Sequence, residues 1–199
     1  MNTENAIKVI DYNGHKIGLF YDQDPESPRE WDNLGTIYSN HKRYSPDNKS
    51  IEELMEMSGQ SRYAQKIDFK AIAKKFYFHK VWMYDHSGQT VRIGDTNPWG
   101  NMGYMSWDSG LFGVIAVSKE DAKKTFGYKR ACKSLEEKTL TCLENEVKTF
   151  DHFVTGEIYT YIVEDKDGEE IDSCSGWYDE EEAIKEAQDM VDYTIGENK

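Results

Sequence analysis

The chain has 199 residues, 38% of them hydrophobic and 13% aromatic, including five Trp, thirteen Tyr and eight Phe. That much bulky apolar surface can build a core and excludes disorder throughout, while no apolar run approaches the roughly 20 residues of a membrane-spanning helix. With 37 acidic against 24 basic side chains the net charge is −13, and three cysteines do not make a disulfide framework. The start, Met1-Asn-Thr-Glu-Asn-Ala6, lacks the basic-then-apolar pattern of a secretion leader. The expectation is a soluble protein of the reducing cytoplasm.

The first predicted elements are two strands, Ile7 to Asp11 and His15 to Tyr21, flanking Asn13-Gly14, a short-hairpin signal. The segment 22–35 carries two prolines and a closing glycine, so it reads as an ordered loop, with Trp31 expected to pin it to the core. Ser50 and Glu53 fit a capping box that opens a helix stopped at Gly59. A second helix is predicted from about Arg62 to Lys75, with Lys66, Lys70 and Lys74 as a basic stripe. Strands at Phe78 to Tyr84 and Gln89 to Ile93 flank the turn Asp85-His-Ser-Gly88. Residues 94–113 are rich in glycine and aromatics, and Leu111 to Val117 reads as a buried strand. Ser118 starts a short helix ending near Gly127, and a long helix follows from about Ala131 to Phe153, with Leu135, Leu140, Leu143, Val147 and Phe150 facing the core. A third hairpin joins Glu157 to Val163 with Glu170 to Tyr178. The last helix runs from near Glu180 to Tyr193, with Ala183, Ile184, Ala187, Met190 and Val191 on one side. Hairpins interspersed with helices predict an α+β class with a mainly antiparallel sheet packed against several helices. One domain over 1–199 is expected, with 157–199 as an acidic hairpin-and-helix subregion.

The charge is unevenly spread. Residues 1–156 hold 22 acids against 21 bases, whereas 157–199 hold 15 acids against 3 bases. Phosphate backbones repel such a segment, which argues against direct DNA binding through it, but a basic groove would attract it. In the last helix Glu182 and Glu186 form a like-charge i, i+4 pair, unfavourable by roughly 0.2–0.5 kcal/mol in an isolated helix. The helix dipole favours Glu180, Glu181 and Glu182 in the first turn, but nothing local rewards Glu186, Asp189 and Asp192. These six carboxylates are the candidate partner-binding residues.

Motifs for chemistry are missing. No phosphate-cradling G-x-x-x-x-G-K-[ST], H-E-x-x-H or paired C-x-x-C occurs, and Ser109 lacks the glycine spacing of a nucleophile elbow. Asp22, Asp24 and Glu26 begin like a calcium loop, but Ser27 and Asn33 occupy its glycine and glutamate positions. No catalytic residue, resident metal or cofactor is therefore assigned, and an enzyme is the less favoured reading. The alternative is a metal-dependent hydrolase or a small-ligand-binding protein built on the loop residues Asp32, Asp85, His86 and Asp108, which would suit a hard divalent cation and an activated water if they converged. Cys132, Cys142 and Cys174 read as small apolar residues.

The run Asp24-Pro-Glu-Ser-Pro-Arg-Glu-Trp-Asp-Asn-Leu-Gly35 resembles the opening signature of a family of small proteins encoded by phages and other mobile elements. The resemblance continues through Tyr84-Asp-His-Ser-Gly88, Trp107-Asp-Ser-Gly110 and the hairpin from Glu157-Ile-Tyr to Asp172-Ser-Cys, and departs from the family pattern at 97–106. Members have no assigned activity, so no catalytic residue is carried over. The resemblance implies an anti-defence context, in which acidic accessory proteins occupy the nucleic-acid groove of a restriction or CRISPR nuclease. The expected function is accordingly a non-enzymatic, anti-CRISPR-like inhibitor whose partner presents a basic nucleic-acid-binding surface.

Overall fold

The computed structural model describes residues 3–41 and 44–197. They form an α+β fold that divides into two compact units, Met1–Glu26 with Gly156–Lys199 and Ser27–Thr155, called here the terminal and middle units. The chain opens with β1 (Lys8–Tyr12) and β2 (His15–Tyr21). The middle unit then comprises β3 (Thr36–Ser39), β4 (Lys49–Ser50), α1 (Ile51–Met57), α2 (Phe69–Lys75), β5 (Phe76–Asp85), β6 (Gln89–Ile93), β7 (Ser109–Ser118), α3 (Lys119–Phe126) and α4 (Lys133–Thr155). Finally β8 (Tyr159–Glu164), β9 (Glu170–Trp177) and α5 (Glu180–Glu197) complete the terminal unit.

In the terminal unit the strands form an antiparallel sheet in the order β1-β2-β8-β9. Asn13 and Gly14 both take positive φ, 49° and 80°, so the first hairpin closes on two residues as expected. Ala183, Ala187 and Val191 of α5 bury against Ile17, Leu19, Tyr161 and Val163. Small residues on the helix suit the aromatic and branched side chains that rise from the sheet. The acidic hairpin and helix thus share one sheet and one core with residues 8–21, and the terminal unit is assembled from both ends of the chain.

The middle unit is a five-stranded sheet ordered β4-β3-β7-β5-β6. Strand β7 lies at its centre, and Val114, Ile115 and Ala116 are all buried, which explains the continuous apolar run. Ile115 and Val117 join a core with Leu135, Leu143, Val147 and Phe150 of α4, while Val114 and Ala116 join one with Ile51 and Leu54 of α1 and Ile72 of α2. Helix α4 has 23 residues, a length of roughly 34 Å. Asp151 on it accepts hydrogen bonds from the Thr90 hydroxyl (2.8 Å) and the Val91 amide (2.7 Å), fixing the helix to β6.

Two local expectations are corrected. The helix predicted over 62–75 is only α2, because the Asp68 carboxylate caps it on the amides of Lys70 and Ala71. Gln60 holds the preceding turn by bonding both the amide and the carbonyl of Asp68. Lys66 therefore lies outside the helix and the stripe shrinks to Lys70 and Lys74. Trp31, expected to pin its loop to the core, is 45% exposed, and the buried side chain of the loop is Arg29, 2% exposed and bound to Asp47 and Glu146.

Candidate interaction surface

The division into units sharpens the charge pattern. The terminal unit carries 20 acids against 5 bases, and the middle unit 17 acids against 19 bases. The N-terminal acids Asp11, Asp22, Asp24 and Glu26 join those of the C-terminal segment, and pairing of β2 with β8 is what brings them into one body. No local signal in either hairpin announces that pairing.

Asp179 stands just before helix α5; its carboxylate accepts the Glu182 amide at 2.9 Å and its carbonyl accepts that of Ala183. With Ala183, Ala187 and Val191 turned to the sheet, Glu181, Glu182, Glu186 and Asp189 stand exposed. Glu182, Glu186 and Asp189 follow one another along the helix at about 5 Å per charge, sparser than duplex phosphates. The other two candidates serve the unit itself. Glu180 accepts from Lys8 Nζ at 2.7 Å, and Asp192 accepts from the Tyr12 hydroxyl and Asn13 Nδ2, each at 2.9 Å. The hydrogen bond to Asp192 raises the Tyr12 pKa. These surface contacts fasten α5 to the first hairpin and engage two of the six carboxylates, Glu180 and Asp192.

The β8–β9 hairpin extends the acidic surface. Asp165 organises its turn by accepting the amides of Asp167 (2.8 Å) and Glu169 (2.9 Å), the Glu169 bond being the main cause of its lowered pKa. Asp167, Glu169 and Glu170 are exposed around it. Glu164, by contrast, is buried and accepts both the amide and the hydroxyl of Thr3. Burial, with a hydrogen bond to Asp172, raises the Tyr161 pKa, and burial beside Asp22 and Glu26 pushes Tyr178 up to about 12.

The middle unit presents a different surface. Trp99 is buried under the Arg92 guanidinium, 5.5 Å from its ring centre. Asn97 braces the same loop, accepting the Trp99 amide and donating to Ser109 Oγ. Beyond that anchor Met102, Tyr104 (74% exposed) and Trp107 (89% exposed) project into solvent within six residues. Large apolar side chains clustered in this way mark contact sites.

The alternative cation site does not assemble. His86 Nδ1 lies 3.3 Å from Asp108 Oδ2, and the Asp85 amide donates to the Asp108 carbonyl, so these three residues are neighbours. Among the described residues, however, no three His, Cys, Asp or Glu side chains are placed to hold a metal ion, so Asp32, Asp85, His86 and Asp108 do not form one. A cavity of about 560 Å³ lies among Phe69, Lys70, Phe78, His79, Lys80 and Leu140. Two of its polar side chains are engaged: Lys80 Nζ donates to the Asp95 carbonyl and sits over the Phe69 ring, and His79 Nε2 meets the Leu140 carbonyl. Cys132 and Cys174, expected as small apolar residues, are exposed thiols. No helix among the described residues is long and apolar enough to cross a membrane.

Comparison with known proteins finds no matching family, no similar curated protein and no similar solved structure.

Proposed function

We propose that this protein is a non-enzymatic accessory of a phage or mobile element that inhibits a host nucleic-acid-handling defence protein, a restriction or CRISPR nuclease. In this reading it works in the cytoplasm of the bacterial host and offers its acidic surface to the basic groove that normally takes nucleic acid. The observation that carries the reading is the concentration of 20 acids against 5 bases in the terminal unit, with Glu181, Glu182, Glu186 and Asp189 exposed on one helix. Carboxylates so arranged steer a cationic partner and set specificity more than they add affinity. Exposed Tyr104 and Trp107 supply the kind of aromatic anchors from which interfaces draw most of their binding energy.

The test is reversal of Glu182, Glu186 and Asp189 to Lys. The triple variant is expected to melt as the parent does, because all three side chains are exposed, yet to lose capture and inhibition of the nuclease from a host with active defences. Trp107→Ala should weaken capture with the same unchanged melting. Binding of the parent should fall steeply as salt rises past the point where the Debye length drops below about 8 Å. Undiminished inhibition by the triple variant at low salt would overturn the proposal.

A further inference from the structure

The terminal unit has an open sheet edge beside its acids. Strand β9 is the last in the order β1-β2-β8-β9, has eight residues, and pairs only with β8 among the described strands. Ile171, Ser173, Cys174, Ser175 and Gly176 along it are exposed. Natural edge strands are commonly guarded by lysine or proline, and neither occurs between Glu169 and Trp177. The edge is available but bounded. Its register with β8 is regular from Asp172 to Cys174 and irregular on either side, and the Gly176 amide is already taken by Asp22 Oδ2 at 3.1 Å.

Charge decides what fits there. Asp167, Glu169 and Glu170 stand exposed at the start of the strand, and Asp179, Glu181 and Glu182 follow its end. A second copy of this chain would bring like charge against like, and a phosphate backbone would be repelled in the same way. We infer that the β9 edge takes up a short, extended, lysine- or arginine-rich segment of the partner protein as an added strand. Main-chain hydrogen bonds would hold it, and the flanking carboxylates would select its cationic side chains. The inference rests on the reading of the terminal unit as a binder of cationic protein and specifies how such a partner is held.

The experiment uses the full-length protein and two capped heptapeptides of alternating lysine and threonine, one of them N-methylated at every residue. Both carry the same charge, but only the first can donate main-chain hydrogen bonds. The unmodified peptide is expected to bind at least tenfold more tightly and to slow amide hydrogen exchange across 170–175. Equal binding of the two without such protection overturns strand addition while leaving the acidic surface as a binder of cations. Binding by neither peptide overturns it as well. Reversing only Glu186 and Asp189 to Lys keeps every carboxylate that flanks β9, so loss of nuclease capture in that variant judges the parent reading separately.

Discussion

Replacing Arg29 by alanine is expected to lower the unfolding free energy of the middle unit by about 3–5 kcal/mol, the range for removing one partner of a buried ion pair. The guanidinium donates from Nε and Nη2 to the two oxygens of Asp47 at 2.9 and 2.7 Å, from Nη1 to Glu146 at 3.1 Å, and from Nη2 to the Gly35 carbonyl at 2.6 Å. Both carboxylate side chains are only 12% exposed. They also organise backbone, since Glu146 accepts the Leu34 and Gly35 amides and Asp47 accepts that of Ile37. Burial acts to lower the Arg29 pKa, but hydrogen bonding and attraction from Asp47 and Glu146 more than reverse this, so the group stays charged. Removing it leaves two buried carboxylates facing each other without a cation. Arg29→Lys is expected to recover part of the loss, because a single ammonium cannot reproduce the forked contact. Denaturant unfolding followed by tryptophan fluorescence measures both variants, and an alanine effect under 1 kcal/mol would contradict this account.

Gly113→Ala is the second large effect, a loss of about 3 kcal/mol or more. A Cβ at this position would lie 2.2 Å from the Tyr38 carbonyl oxygen and 3.0 Å from Ser39 Cα. These are backbone atoms of β3, paired with β7 at Ser39–Gly113, so the strand itself would have to move. Gly35→Ala meets only side-chain atoms, Leu143 Cδ2 at 2.4 Å and Ile115 Cγ1 at 2.8 Å, and should cost less. The order of the two melting temperatures checks the argument: a Gly113→Ala protein more stable than Gly35→Ala would refute it.

What could be read from the sequence was what short-range chemistry controls. The Asn13-Gly14 turn, the Ser50–Glu53 cap, the left-handed Gly127 that ends α3, and the apolar face of α4 all depend on neighbours within a few residues. The β3 strand and the two-residue β4 escaped, because four and two residues make no period of their own and acquire their state from β7 and from each other. Arg29 illustrates the same limit. Its neighbours suggested that a tryptophan would hold the loop, and only the distant Asp47 and Glu146 reveal that the adjacent arginine does so. Among the candidate acids, Glu180 and Asp192 were indistinguishable by spacing from Glu182 and Glu186, and the difference lies in Lys8, Tyr12 and Asn13, more than 160 positions away.

The pairing of β2 with β8 sets Lys16 opposite Glu164 and Tyr21 opposite Tyr159. A ribosome must therefore pass residue 164 before the second strand of that ladder exists, whereas residues 27–155 can collapse earlier, since domains generally fold as units during synthesis. The first hairpin waits meanwhile without its sheet partner. Premature termination anywhere before β8 yields a product without the anionic module, so the capacity ascribed to it cannot appear until that strand is made.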